Sequence, residues 1–564
     1  MKRLIECVPN FSEGRDLTII KQITDAIESV EGVKLLDVDP GKATNRTVVT
    51  FVGEPEAVVE AAFRGVAKAS ELIDMRYQHG EHPRIGATDV LPLVPISGIT
   101  LEECAELARQ LAQRITNELA IPTYCYEAAA LKPERKNLAV CRKGEYEALQ
   151  QRITQPDEMP DFGGGQWTEQ AALSGATVVG ARDFLIAVNF NLNTTSTRRA
   201  NAIAFDVREK GRPMREKPIV GKIVRNEKGE PIMIPGTLKG CKAIGWFIEE
   251  YGIAQVSMNI TDTAQTSLHA AFEEVCRAAA ARGVRVTGTE IVGLVPRSAL
   301  LEAGKYFLRK QQRSLGITDQ EIIDIAVHSM GLAELRPFNP EEKIVECLIE
   351  KGDAAKRLVD RTCKDFAEET SRESPAPGGG SISAYMGALG AALGTMVANL
   401  SAHKPGWDDR WEFFSDWAEK GKAVMNELLA LVDEDTDAFN AIMDVLGMPK
   451  GTPEEKAARA EAMERATLYA TQVPLKTMKA SYRAFEIAGA MAEEGNPNSV
   501  SDAGVGALAA RAAVQGAFLN VKINAAGLKD RLVAEELVAE AATIARAADA
   551  EEKRILEIVE SKID

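Results

Sequence analysis

A change of periodicity near Ser329 constrains this chain more than any other feature. Before it, short apolar runs at strand spacing alternate with longer stretches that are apolar at every third or fourth residue. After it the strand-like runs vanish. Alanine becomes dominant, with 17 between Ser501 and Ala550, and long helical patterns follow one another. One core cannot serve both patterns in a chain of 564 residues, so several domains are expected. Between the two regimes, GLAELRPFNPEE carries Pro337 and Pro340 and reads as a linker.

The first hundred residues read strand, helix, strand, strand, helix, strand. Strands are expected at 3–8, 33–38, 46–52 and 89–96. The helix at 16–30 carries Ile20, Ile23, Ile27 and Val30 on one face, and that at 55–73 carries Val59, Ala62, Val66, Ala69 and Ile73. This βαββαβ order is the split βαβ, ferredoxin-like unit. Thr100 with Glu103 three residues on forms a capping box for a further helix. A second pass begins at Phe184, with a strand in FLIAVNFNL, a helix over 194–210, a strand at 253–260 and a helix over 265–282. Its last strand, in EIVGLVPRSALLEAG, echoes DVLPLVPISGITLEE of the first half. His269 flanks the apolar stripe of its helix and reads as structural. The expected fold class is therefore multidomain: two α/β ferredoxin-like (βαββαβ) subdomains, with a ligand cleft between them, followed by an all-α helical-bundle domain. The expected boundaries are 1–181, 182–328, a linker at 329–340, and 341–564.

The formal net charge of −16 argues against nucleic acid and against an anionic membrane surface as partners. Eight cysteines without a C-x-x-C pair read as reduced thiols, which fits a cytoplasmic location. The start MKRLIECVPN has no long apolar run, so no secretory signal is expected. Residues 381–400 are uncharged and long enough to span a bilayer. They are built from Ala, Gly and Ser more than from Leu or Ile, so a buried helix in a close-packed bundle is expected instead.

Four stretches could carry chemistry. HGEHPRIGATDV, from His79 to Val90, holds two of the five histidines, with Glu81, Arg84 and Asp89 beside them. Histidine can take and return a proton near neutrality. A polar loop with a histidine stacked on Pro83 is the competing reading. In DFGGGQW, over 161–167, three glycines free the backbone either to approach a flat ligand or to turn tightly. SPAPGGGSIS, over 374–383, is a glycine-rich turn opening a helix. Its free N–H groups suit a carboxylate or phosphate, such as the anionic end of a ligand; capping and packing are the alternative. In LLALVDEDTDAFNAIMDVL, over 428–446, Asp435 falls on the apolar stripe between Val432 and Phe439, with Asp433 and Asp437 on the solvated flanks. A carboxyl placed there loses hydration and holds its proton to higher pH. Pairing with a buried Arg or Lys is the alternative. No His, Cys and Asp cluster stands at metal-ligand spacing.

Several blocks resemble a known family. ECVPNFSEGRD, DVDPGKATNRTVVTFVG, HGEHPRIGATDVLPLVPI and GARDFLIAVNFNL look like glutamate formimidoyltransferase. SPAPGGGSISAYMGALGAAL, LVDEDTDAF and NSVSDAGVGALAARAAVQGAFLNVKIN look like formimidoyltetrahydrofolate cyclodeaminase. Their order resembles the fused bifunctional enzymes of histidine breakdown. The resemblance implies transfer of a formimidoyl group from N-formimidoyl-L-glutamate to tetrahydrofolate as co-substrate, with or without a polyglutamate tail. It then implies closure to 5,10-methenyltetrahydrofolate with loss of ammonia. It places the transferase histidine on His82, the cyclodeaminase acid on Asp435, and folate contacts on Gly163, Gly164, Gly165, Gln166 and Trp167. Gly378, Gly379, Gly380 and Ser381 are the folate candidates of the helical half, and Asp39, Arg46 and Arg84 are further candidates for substrate binding. A homo-oligomer and no metal are expected. The alternatives are a formyl pair, an N-formylglutamate formyltransferase fused to a methenyltetrahydrofolate cyclohydrolase, and a non-catalytic folate-binding scaffold.

Overall fold

The computed structural model describes residues 3–42, 44–80, 83–217, 221–350, 357–373 and 376–563. Two compact units divide the chain. One comprises residues up to Ala303 together with the segment resuming at Val327; the other comprises Gly304–Ala326 and the C-terminal part.

The first unit begins with β1 (Leu4–Cys7) and β2 (Asn10–Phe11), which both pair with β4 (Arg46–Gly53) and β5 (Thr88–Ser97) and so act as one interrupted strand. Asp16 caps α1 (Leu17–Glu28) by accepting from the Thr18 and Ile19 amides. β3 (Val33–Gly41) pairs with β4, and α2 (Pro55–Leu72) leads to β5. The four-strand order is β3–β4–(β1, β2)–β5, antiparallel throughout. Ile20, Ile23 and Ile27 of α1 are buried, as are Ala62, Val66 and Ala69 of α2, so the helical stripes cover one sheet face. The Thr100 capping box opens α3 (Leu101–Leu119). Two strands absent from the sequence reading, β6 (Thr123–Glu127) and β7 (Thr177–Ala181), extend the sheet beyond β5 in parallel.

The second sheet repeats the order. β8 (Ile186–Leu192), α4 (Thr197–Val207), β9 (Cys241–Ile248), β10 (Ile253–Ile260), α5 (Leu268–Ala280) and β11 (Val286–Val292) give β9–β10–β8–β11, again antiparallel. β9 escaped the sequence reading because Ile244 and Trp246 lie on its exposed face and blur the alternation. His269 contacts Ser267, with Oγ and Nε2 3.2 Å apart, and burial lowers its pKa. The 329–340 stretch belongs to this first unit. Downstream of it, the Val295 N–H donates to the Lys343 carbonyl at 2.9 Å and the Arg297 N–H to the Glu346 carboxylate at 2.8 Å.

The second unit is built on long helices: α6 (Gly379–Ala402), α7 (Trp411–Leu446), α8 (Pro453–Glu494), α9 (Val500–Ala525) and α10 (Arg531–Ile563). Among the described residues α6 alone is long and apolar enough to cross a membrane, and 61% of its most apolar window is buried inside the unit. Its small residues let backbones approach. A methyl group on Gly390 would lie 2.8 Å from the Gly506 carbonyl of α9. The segment 304–326 is seated on the same unit: the Leu315 N–H donates to Ser415 Oγ at 3.0 Å, and Asn399 Nδ2 to the Gly316 carbonyl at 3.0 Å.

Candidate functional site

Each unit carries one candidate site. In the first, Glu81 and His82 lie outside the described residues, but both flanks of that stretch are fixed. Asn45, at the turn before β4, donates from Nδ2 to Gln78 Oε1 at 2.7 Å and to the His79 carbonyl at 2.9 Å. A methyl group on Gly80 would lie 2.1 Å from the Thr44 carbonyl, so the chain can pass there only as glycine. On the other flank Arg84, 8% exposed, bonds to Glu147 at 2.7 Å, to Glu145 at 3.1 Å and to the Gln78 carbonyl at 2.9 Å. Its guanidinium thus clamps the two ends of the His79–Pro83 stretch. Asp89 is fully buried. It accepts from the Ile85 N–H at 3.0 Å and pairs with Arg142. Burial raises its pKa and Arg142 opposes the rise.

Of the other candidates here, Asp39 is exposed on β3 opposite Val48. Arg46 starts β4, where burial lowers its pKa while Asp89 and Asp39 oppose that. Gly163, Gly164, Gly165 and Gln166 form an exposed strip, with the backbone left-handed at Gly163 and Gly165. Trp167 is half-buried, its ring 6.2 Å from that of Tyr146, whose N–H donates to the Arg84 carbonyl at 3.0 Å. The two motifs, far apart in sequence, are therefore joined through Glu145, Tyr146 and Glu147. Sequence reasoning missed these linking residues, which open a short helix, Glu145–Arg152, whose sequence shows no clear apolar periodicity.

The helical unit brings its own two motifs together in one cavity of about 220 Å³. Gly378, Gly379, Gly380 and Asp435 all line it. Ser381, at the first turn of α6, donates to Asp435 Oδ2 from its N–H at 2.8 Å and from Oγ at 3.0 Å. One of the unsatisfied first-turn amides of α6 is thus taken by a carboxyl of the chain itself. Burial raises the Asp435 pKa, and the two Ser381 bonds oppose the rise. Burial is the larger influence, so the Asp435 carboxyl keeps its proton to higher pH than an exposed aspartate does.

Asp433 needs correction. It is not solvated: half-buried, it accepts from the Leu358 N–H at 2.6 Å. Asp437 is exposed as expected. The cavity also presents Thr436, Asn520 and Asn524, which sequence reasoning did not single out. Two asparagines four residues apart in an otherwise alanine-rich buried helix were the available signal. Among the described residues no group of His, Cys, Asp and Glu could hold a metal ion.

Comparison with known proteins agrees along the length of the chain. Residues 4–182 match the model of the formiminotransferase domain, N-terminal subdomain, residues 187–350 that of the formiminotransferase domain, and residues 362–543 that of formiminotransferase-cyclodeaminase. The chain is 41% identical over 530 residues to the formimidoyltransferase-cyclodeaminase of Gallus gallus, covering 94% of each. The glutamate formimidoyltransferase of Streptococcus pyogenes serotype M1 is 41% identical over 309 residues, 55% of this chain and 94% of that protein. The methenyltetrahydrofolate cyclohydrolase of Methylorubrum extorquens is 39% identical over 203 residues, 36% of this chain and 98% of that protein. With both halves matched, in order and over nearly the full length, the chain belongs to the formimidoyltransferase-cyclodeaminase family.

Proposed function

We propose that this chain is a bifunctional folate enzyme of histidine degradation, a transferase joined to an ammonia lyase. Its first unit moves the formimidoyl group from N-formimidoyl-L-glutamate to N5 of tetrahydrofolate. Its second unit closes 5-formimidoyltetrahydrofolate to 5,10-methenyltetrahydrofolate and releases ammonia. The observation that carries the reading is the meeting of Asp435 with the Gly378–Ser381 turn in one cavity, in a family whose full-length members are named for both activities. The two α/β sheets are read as ferredoxin-like units, supported by their shared strand order, with β6 and β7 as an addition to the first. The functional boundary is read between residues 328 and 341.

In the first reaction N5 loses a proton as it attacks the formimidoyl carbon, and the departing glutamate nitrogen gains one. A single histidine, His82, performs both transfers. The clamp of Asn45, Gly80 and Arg84 fixes the described residues on either side of it, and the Gly163–Trp167 strip is where a flat folate would lie. In the second reaction the formimidoyl nitrogen arrives with one hydrogen and leaves with three. One comes from the Asp435 carboxyl and one from N10 as the N10–carbon bond forms. Asp435 is left as a carboxylate and regains its proton from solvent. At about 220 Å³ the cavity is smaller than a site that buries a whole drug-sized ligand, so it takes the ring head and leaves the tail outside.

A homo-oligomer in the cytoplasm completes the reading. Leu389, Met396 and Leu400 of α6 and Val505 and Leu508 of α9 form exposed apolar rows suited to a second copy, and the eight thiols are free. A second reading of the helical unit, a cyclohydrolase acting on a formyl group, is favoured by the resemblance to the Methylorubrum extorquens protein. One assay separates them. Tetrahydrofolate with N-formimidoyl-L-glutamate should give methenyltetrahydrofolate absorbance and one ammonia per turnover. Turnover of the formyl donor instead, without ammonia, would overturn the reading.

A further inference from the structure

Pro474 lies inside α8 and has no N–H to offer the carbonyl four residues back, that of Ala470. Ala470 lines the cavity, and Asn524 Nδ2 of α9 donates to its carbonyl at 2.7 Å. The proline thus creates an acceptor that fixes which way the Asn524 amide turns. Its Nδ2 goes to Ala470, and its Oδ1 receives no donor among the described residues. One turn earlier, Asn520 Nδ2 is held by the Gly516 carbonyl at 3.0 Å, and again Oδ1 receives none. A methyl group on Gly379 would lie 3.6 Å from that Oδ1, and one on Gly380 would lie 2.1 Å from Asp435 Oδ1. Asn520 therefore lies against Gly379 and Asp435 against the adjoining Gly380. Thr436 also lines the cavity, and its hydroxyl is buried with no partner among the described residues.

We infer that Asn520 and Asn524 recognise the departing nitrogen of the substrate and make the cavity prefer a formimidoyl over a formyl group. This rests on the proposed cyclodeaminase reading. A formimidoyl nitrogen, protonated or about to be, carries N–H donors for two amide oxygens. A formyl oxygen has only lone pairs and would face them unpaired. A site built around a hydrogen bond rejects an analogue that cannot make it. Pro474 is a positioning residue in this arrangement, acting through Ala470 and Asn524.

The test compares the full chain's KM for 5-formimidoyltetrahydrofolate with its inhibition constant for 5-formyltetrahydrofolate. Asn520→Leu should narrow that discrimination by about ten- to a hundredfold, the worth of a bond to a charged group. Asn520→Asp, which keeps the oxygen and adds charge, should widen it. Pro474→Ala restores an N–H for Ala470, releases Asn524 and should narrow it while the helix gains stability. If folded Asn520→Leu and Pro474→Ala both leave the ratio unchanged, the inference is overturned. If Asn520→Leu does not fold, a widened ratio in Asn520→Asp supports the inference and an unwidened one overturns it. Wild-type chain that releases no ammonia from 5-formimidoyltetrahydrofolate would instead refute the cyclodeaminase reading itself.

Discussion

Gly380→Ala isolates the geometry around Asp435. No positive φ is involved, and alanine suits a helix better than glycine does. The obstacle is one side chain: the new methyl would lie 2.1 Å from Asp435 Oδ1, 2.5 Å from its Cγ and 2.6 Å from its Oδ2. To reach van der Waals contact the carboxyl must withdraw by about 1 Å, which strains both Ser381 bonds. A misplacement of that size in a proton donor slows the chemical step by roughly a hundredfold, about 2.7 kcal/mol of barrier. The loss should fall on kcat, measured as methenyltetrahydrofolate absorbance from added 5-formimidoyltetrahydrofolate. Glutamate release from N-formimidoyl-L-glutamate should be untouched. Gly379→Ala is the comparison: its methyl meets Asn520 Nδ2 at 3.3 Å, so its effect on kcat should be several-fold smaller. Wild-type cyclisation by folded Gly380→Ala would show that Asp435 need not stand where the structure puts it.

Three further outcomes are expected. His82→Ala should slow glutamate release by roughly 10²–10⁴-fold while cyclisation of supplied 5-formimidoyltetrahydrofolate continues; an unchanged transferase rate would make His82 a loop residue. Asp435→Asn should be more heat-stable than wild type at pH 7. A carboxyl whose folded pKa is raised stabilises the fold at low pH and loses that contribution as pH rises through the folded value, so the advantage should shrink as pH falls toward about 3.9, the unfolded value. A C-terminal fragment starting at residue 341 lacks 304–326, the segment bonded to Asn399 and Ser415, and should melt below one starting at 304; equal melting temperatures would mean the segment contributes nothing to that unit.

Periodicity carried most of the fold. The stripes at Ile20–Ile23–Ile27 and Ala62–Val66–Ala69 face the core, and the capping box at Thr100 forms. What it missed shares one cause, since strands are legible only when one face is apolar and the other polar. β6 and β7 are buried almost throughout, and β9 exposes Ile244 and Trp246. Asp435 was legible because a carboxyl on an apolar stripe is an exception to a pattern. Asp433 was misjudged because its partner, the Leu358 amide, comes from a distant segment that no helical wheel contains. Asn520 and Asn524 were hidden because what matters is where their oxygens point: the Gly516 carbonyl sets this for Asn520, and for Asn524 it is set by the Ala470 carbonyl that Pro474 leaves open in another helix.

The most direct test of the two-site account is a product balance on Asp435→Asn. Supplied with N-formimidoyl-L-glutamate and tetrahydrofolate, this variant should release glutamate at the wild-type rate and accumulate 5-formimidoyltetrahydrofolate. Ammonia should form no faster than in spontaneous closure without enzyme. Asp437→Asn, at an exposed position of the same helix, should complete both reactions. Wild-type ammonia release by Asp435→Asn would contradict the account, because the second reaction would then proceed without the carboxyl on which it depends.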